Sequence, residues 1–585
     1  MGEEVKRVRL NRLYSEGDYF DEIIFHDGIN LILGEKYDET TTRGRKTNGV
    51  GKSMSIEFLD FGLLSDYEKS RVERIPEDIF PVEEYVILEM EIGGESILIK
   101  RNRKNADKPI IVRKEKEIVF DKLQDAKAYM TELIFSELSG KEVPSLRTLL
   151  SVLIRDEKSE FADILKCHDL SKRIPDDLTT HLFMLGVSLE SYKQVLKTIN
   201  EIEKNAIVLN KAKNEITENG TKKMADVKAE INALESELQQ LEEAMDSFKT
   251  NDAFNIMEAE LIELENMLLQ LRQRQKVIKR EYEKIKVLPK PEQIDDAEIE
   301  LVYSQFKENL GDAVVRALGE VVGFKNKVEE FQRVLVNQKA RELETQLSEI
   351  AKQIRTLDDQ YAEKIKIIDK KGVLKNLKTS LKIYESKRDA FSHTQFLFEQ
   401  YDACDKKQKR LKLQKSQELM EIDSELEELS SELKSFMMTI LNIHEAIMGN
   451  KECSFEIKTK TNGRGKTPVD ISLRIFDDGS HSVDRTKVFI YDMALLFNEY
   501  TRQKHPLFLV HDNIFDVDQD TLVQCLNFAY RQEERYSDFQ YILTLNRDKI
   551  ENEERLKLID MDVDAHKVAV YTKKKKFLKH DYQEK

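Results

Sequence analysis

Residues 47–53 read TNGVGKS and residues 461–467 read TNGRGKT. Glycines beside a lysine and a hydroxyl residue are the parts of a phosphate loop. Backbone N–H groups converge at the start of a helix, the ammonium reaches the terminal phosphates, and the hydroxyl ligates magnesium. Context separates the two copies. The first follows the apolar run Asn30–Leu33 and precedes MSIEFLDFGLL, in which Met54, Phe58, Phe61 and Leu64 recur at helical spacing. The second is followed by Pro468 and then by VDISLRIF, which alternates like a strand, so it reads as the turn of a β-hairpin, where Asn-Gly is at home. Phosphate chemistry is therefore assigned to Gly49, Gly51, Lys52 and Ser53.

This loop is interrupted. The pattern GxxxxGK[ST] requires a glycine where Lys46 stands. Gly34, in LILGE at the end of the preceding strand, can supply it: splicing Gly34-Glu35 onto Asn48 gives GENGVGKS, with residues 36–47 inserted. The insertion, KYDETTTRGRKT, is polar. Its Arg43, Arg45 and Lys46 could touch nucleotide or nucleic acid, or could belong to a solvated surface loop.

Three segments must position these residues. Residues 1–175 alternate apolar runs with turns, giving strands near Val5–Leu10, Glu22–Phe25 and Asn30–Leu33, a meander over residues 85–112, and helices near 52–64 and 122–138. Residues 176–450 switch to steps of three and four: Met224, Val227, Ile231, Leu234, Leu238, Leu241, then Leu343, Leu347, Ile350, Ile354, then Leu419, Ile422, Leu426, Leu429. That spacing makes a narrow apolar seam, which requires a partner helix. Pro289 and Pro291 are the first candidate for a reversal of direction, and Gly372 the second. Residues 451–585 return to strands, near 454–460, 469–476, 507–510 and 541–545, with helices near 485–503 and 519–533. An antiparallel coiled coil brings its two ends together. The expected fold is thus an α/β head assembled from the N- and C-terminal segments, with the coil as an insertion.

Composition agrees with this division. A chain of 585 residues exceeds one compact core. Charged residues at 35%, only 9 prolines and no tryptophan suit long exposed helices. A formal charge of −16 excludes a generally basic surface and leaves local basic patches as the route to nucleic acid. Cys167, Cys404, Cys453 and Cys525 form no CxxC pair, so neither a zinc site nor a disulfide framework is signalled. No stretch approaches the ~18 apolar residues of a membrane span, and the charged N-terminus lacks a signal-peptide core, so a cytoplasmic chain without membrane contact is expected.

The interrupted loop, the coiled insertion and the late strand PLFLVHD together resemble the coiled-coil ATP-binding-cassette ATPases of the SMC and RecN type. Within these the chain is similar to a bacterial group with an HDN or HDS sequence and a FIYD stretch, which includes ATPase subunits of multi-component defence systems such as Lamassu and the ABC-three-component systems. The resemblance implies ATP and Mg²⁺ as cofactors. Lys52 would contact the β- and γ-phosphates, and Ser53 and Asp512 would hold magnesium. An acid at the carboxyl end of a buried strand stands where ligands of open α/β sheets collect. The following position, where the family has a water-activating glutamate, is Asn513. An amide accepts no proton, so hydrolysis is weak or another group acts as base, His511 and Asp516 being nearest. His511 alternates to the opposite side of the strand, which favours a core role. Asp518 would reach across to a second head, and Asn546 takes the place of the family's switch histidine. In place of the family's signature stands DDGSHSVDRTKVFIYDMALL, where Ser480 or Ser482 could meet a γ-phosphate across a dimer or simply cap a helix. In place of the glutamine loop stands SVLIRDEKSEF, leaving Arg155 or Asp156 as substitutes. Asp492 sits on an apolar helix and needs a partner that the sequence does not name.

The resemblance further implies a homodimer closed by ATP between heads, sequence-independent binding of DNA, and control of effector and accessory subunits. DNA would be met by Lys100 to Lys114 on the meander or by Lys573–Lys576. Two alternatives stand beside this: an ATP-binding structural adaptor with little hydrolysis, and a repair ATPase of RecN type.

Overall fold

A computed structural model describes residues 4–37, 49–138, 140–171, 174–249, 258–286, 312–368, 373–460, 467–475, 481–515, 517, 519–550 and 557–584. Asn48, Ser480, Asp516 and Asp518, most of the 36–47 insertion and the turn residues 461–466 lie outside that set. The chain divides into two compact units, Met1–Ile207 with Lys406–Lys585, and Val208–Asp405.

The first unit is built on a five-stranded parallel sheet that draws on both ends of the chain. Its strands are β3 (Gly28–Gly34), β8 (Ile154–Arg155), β11 (Phe508–Asp512), β12 (Gln540–Asn546) and β13 (Lys567–Tyr571), in the order β13-β3-β12-β11-β8. GINLILG, FLVHD and QYILTLN are buried at every position, as strands covered on both faces must be. Gly34 pairs with Asn546, so β3 and β12 end level, while β11 ends two residues earlier with Asp512 opposite Thr544.

Helix Lys52–Gly62 packs between this sheet and a second, six-stranded antiparallel one. The latter contains β1 (Val8–Ser15), β2 (Ile23–Ile24), β4 (Tyr85–Ile92), β5 (Glu95–Asn102), β6 (Ile110–Arg113) and β7 (Lys116–Val119), ordered β2-β1-β4-β5-β6-β7. The helix buries Met54, Ile56, Phe58, Leu59 and Phe61, around most of its circumference. Each such side chain contributes roughly 1.5–3 kcal/mol. Phe58 meets Phe20, Phe80 and Phe577, so the N-terminal helix and the C-terminal tail share one aromatic cluster.

The second TNG stretch lies between β9 (Cys453–Thr459) and β10 (Val469–Ile475), which pair antiparallel with Val469 opposite Thr459. Those strands form the hairpin expected from the alternation. Helix His481–Phe497 follows and is buried throughout Val488–Phe497.

The second unit is helical. Val227, Leu343, Ile350, Ile354 and Tyr361 are buried, Leu347 and Leu357 are half-buried against the cluster that holds the last four, and most positions between them face solvent. The chain reverses more often than the single hairpin expected from the prolines. Lys228 lies over Phe398 and Glu237 pairs with Lys387, so Met224–Lys249 runs antiparallel to Val373–Glu428. Glu260 with Lys364 and Arg272 with Asp358 set Glu258–Lys286 antiparallel to Asp312–Ile368. Arg272 with Glu385 and Lys276 with Asp389 run in the same sense. Direction therefore changes between 249 and 258, between 286 and 312, and between 368 and 373. Pro289, Pro291 and Gly372 fall in the last two intervals. The first holds TNDAFNIM, in which Asn251-Asp252 are turn formers but no proline or glycine breaks the pattern.

Candidate functional site

The phosphate-loop candidate opens the helix Lys52–Gly62. Gly49 and Gly51 have φ of 67° and 110°, conformations that residues with a Cβ rarely adopt. A Cβ on Gly51 would stand 2.6 Å from Cβ of Phe577 and 3.0 Å from its backbone nitrogen, which itself donates to the Val50 carbonyl at 3.2 Å. The helix start is thus shaped by its glycines and backed by the C-terminal tail. Gly51→Ala is expected to destabilise the first unit by about 2–4 kcal/mol, through backbone strain and overpacking together. A denaturant midpoint unchanged from wild type would refute that packing.

Four residues from opposite ends of the chain converge here. Lys52 is only 8% exposed, and its ammonium donates to the side-chain oxygen of Asn546, 494 positions away. The Ser53 hydroxyl lies near enough to the carboxylate of Asp512 to favour its charged form. Thr544, which the sequence reading missed, donates to Asp512 Oδ1 at 2.6 Å and accepts from the Asn513 backbone at 2.9 Å. Burial lowers the Lys52 pKa despite the attraction of Asp512, Glu157 and Asp548. Burial also pushes Asp512 up to about 6, against the opposing effect of Thr544 and Ser53, and the nearby Glu157 and Asp156 carboxylates add to the rise. Both groups are held in less water than their charges prefer. An anion at Lys52 and a cation at Asp512 would relieve that.

Asn513 has φ of 63°, a region in which asparagine is at ease. Its side-chain amide donates to Glu157, and its carbonyl accepts from Arg485 at 2.8 Å. Glu157, also missed in the sequence, lines the same cavity as Gly49–Met54, Asn513 and the tail residues Lys576–Leu578. That cavity has a volume of about 700 Å³, within the range of small-molecule sites.

Of the two expected substitutes in the glutamine loop, Arg155 is turned into the core, while Asp156 lines an adjoining cavity together with Ser53, Asp512 and Glu157. Arg155 is fully buried and clasps Asp492, with Nε 2.6 Å from Oδ2 and a bond to Oδ1 at 2.8 Å. Asp156 caps the short turn Glu157–Ser159 by accepting from the Lys158 backbone at 3.1 Å. His511 is also corrected from a candidate base to a core residue. It is fully buried, and its ring nitrogens are taken by Asp492 Oδ2 at 3.0 Å and the Tyr541 hydroxyl at 3.1 Å. Burial lowers its pKa, so the ring is neutral, with Nε2–H donating and Nδ1 accepting. The partner that Asp492 requires is therefore Arg155, seconded by His511. Burial raises the Asp492 pKa, but those two outweigh it and hold the carboxylate below its usual range.

Gly34 ends β3 between Asn546 and Tyr571. Ser482 lies in the first turn of His481–Phe497, away from the residues lining the cavity. Among the described residues no cluster of three or more His, Cys, Asp or Glu could hold a metal. No helix among them is long and apolar enough to cross a membrane.

The family described as "Uncharacterised protein conserved in bacteria (DUF2326)" matches residues 443–582, about a quarter of the chain. No curated protein matches. Among solved structures, the chain is similar to the Smc head domain with a coiled coil and joint derived from Pyrococcus yayanosii, at 12% identity and a TM-score of 0.33, covering 94% of each chain. It is also similar to the Smc head domain with an extended coiled coil bound to the C-terminal domain of ScpA derived from Pyrococcus furiosus, at 9% identity and a TM-score of 0.31, covering 94% of this chain and 92% of that one.

Proposed function

We propose that the first unit is a nucleotide-binding head that takes MgATP in the cavity beside Gly51 and hydrolyses it slowly, as one subunit of an SMC-like assembly. The observation that carries this is the convergence of Lys52 and Ser53 with Asp512 and Asn546 at the carboxyl ends of β11 and β12. Lys52 and the amides at the helix start would hold the β- and γ-phosphates. Ser53 and Asp512 would ligate magnesium, the remaining positions going to phosphate oxygens and water, as is usual for this ion. The nucleoside would extend along the tail residues, where Phe577, His580 and Tyr582 line the cavity. Two heads would close on ATP, with Ser480, Ser482 and Asp518 meeting the nucleotide of the opposite head, and hydrolysis would release them.

Sequence-independent DNA binding and control of an effector subunit in a bacterial defence assembly belong to the same proposal. Of the two basic clusters first considered for DNA, only part is free to meet a duplex. Arg101 and Arg103 are buried and donate to the carbonyls of Phe61, Ser65, Ala106 and Phe80. Lys104 pairs with Glu83, Lys108 with Asp121, and Arg113 and Lys114 with Glu95. Lys573 donates to the Gly49 carbonyl at 3.3 Å, and Lys575 and Lys576 pair with Asp21 and Asp581. Lys573 and Lys576 thus lie beside the proposed nucleotide cavity.

A second reading, an ATP-binding adaptor without turnover, is favoured by the amide at Asn513. Phosphate release measured at saturating MgATP, with and without duplex DNA, separates the two. Turnover that Lys52→Ala abolishes supports the ATPase, and a rate equal to that variant's leaves the adaptor.

A further inference from the structure

The cavity contains a carboxylate that no reading of the sequence placed there. Glu157 follows the buried pair of Arg155 with Asp492, and its own turn is fixed by the Asp156 cap and by the Ser159 hydroxyl, which donates to the Asp156 carbonyl at 2.8 Å. Its side chain is exposed to the cavity and accepts from the Asn513 amide. The residue that cannot accept a proton therefore holds one that can.

Among the described residues the other candidates are occupied: Glu584, on the same cavity, pairs with Arg71. Asp512 is engaged by Ser53 and Thr544. His511 faces the core between Tyr541 and Asp492. Asp156 lines an adjoining cavity with Ser53, Asp512 and Glu157, but its carboxylate accepts from the Lys158 backbone at 3.1 Å and pairs with the Lys158 ammonium at 3.5 Å.

We propose that Glu157, held by the Asn513 side chain, is the general base for ATP hydrolysis in this head. The proposal rests on the nucleotide reading above. In the step, the water oxygen bonds to the γ-phosphorus as the bond from that phosphorus to the β,γ-bridging oxygen breaks. The bridging oxygen leaves with ADP, and the proton of the attacking water passes to a Glu157 oxygen and then to solvent. Two loops share a task that one glutamate after the strand performs elsewhere. Asn513 is accordingly a positioning residue, and Glu157 the group that touches the water.

The test compares full-length wild type with Glu157→Gln, Asn513→Ala and Lys52→Ala. A positioned general base contributes about 10²–10⁴-fold. Glu157→Gln keeps the hydrogen bond from Asn513, so it is expected to bind a fluorescent ATP analogue with magnesium within about twofold of wild type, with KM unchanged. Its kcat should fall at least about 100-fold. Asn513→Ala should lose less, about tenfold, because the carboxylate remains but is no longer held. A Glu157→Gln variant that binds the analogue and turns over as wild type overturns the assignment while leaving the nucleotide site standing. Wild type that binds the analogue but hydrolyses no faster than Lys52→Ala also overturns it. Wild type that binds no nucleotide overturns both readings.

Discussion

Replacing Asp492 with alanine is expected to destabilise the first unit by about 3–5 kcal/mol, the cost of leaving a buried charge without its counter-ion. Arg155 and Asp492 are 0% and 1% exposed, so water cannot take the place of the lost carboxylate. The change would also strand the Nε2–H of His511. Since whole domains are stable by only about 5–15 kcal/mol, a loss of this size should be visible as a large drop in the unfolding midpoint of the first unit. Near-ultraviolet dichroism of the tyrosines or hydrogen exchange over β11 and β12 would report it. The double variant Arg155→Met with Asp492→Leu should recover much of the loss, because removing both charges removes the desolvation penalty as well. A single variant within 1 kcal/mol of wild type would show that the pair carries little. The same pair anchors the segment that carries Glu157, so Asp492→Ala should depress hydrolysis even where the protein remains folded.

The second large effect concerns affinity. Lys52→Ala is expected to weaken binding of MgATP by about 100-fold, which is about 2.7 kcal/mol and within the range for hydrogen bonds to charged groups. The fold should not suffer. Burial already disfavours the charged ammonium and lowers its pKa, so its removal is expected to leave the melting temperature of the nucleotide-free protein unchanged or slightly raised. That combination distinguishes a functional lysine from a structural one. Calorimetric titration and thermal unfolding on the same preparation would measure both. A Lys52→Ala protein that binds MgATP like wild type, or that unfolds before nucleotide is added, would contradict the assignment.

Local pattern carried much of the architecture. Alternation marked the strands, three-and-four spacing marked the seam, and the residues after each TNG stretch separated a helix start from a hairpin. Lys52, Ser53, Asp512 and Asn546 were legible because each stands next to an element boundary that the sequence marks. What escaped depends on pairings between distant positions. Nothing near Asp492 names Arg155, 337 positions earlier, and a guanidinium in a run of basic residues looks solvated whether or not it is. Arg101 and Arg103 were misread for that reason: the end of β5 and the bend after it send their side chains inward to carbonyls. Glu157 was passed over because the reading sought a substitute at Arg155 or Asp156. How each of three consecutive polar residues is aimed is decided by the turn that the Asp156 cap imposes. The tail was invisible as a wall of the site because its contact with Gly51 is made by Phe577, an ordinary core residue by type.

The central claim is that residues from the two ends of the chain make one nucleotide site. Determining the structure of the full chain with magnesium and a non-hydrolysable ATP analogue tests this most directly. The account predicts the triphosphate over Gly49–Ser53 in contact with Lys52, and a metal between Ser53 and Asp512. Finding the analogue bound only elsewhere, or no analogue at saturating concentration, would contradict it.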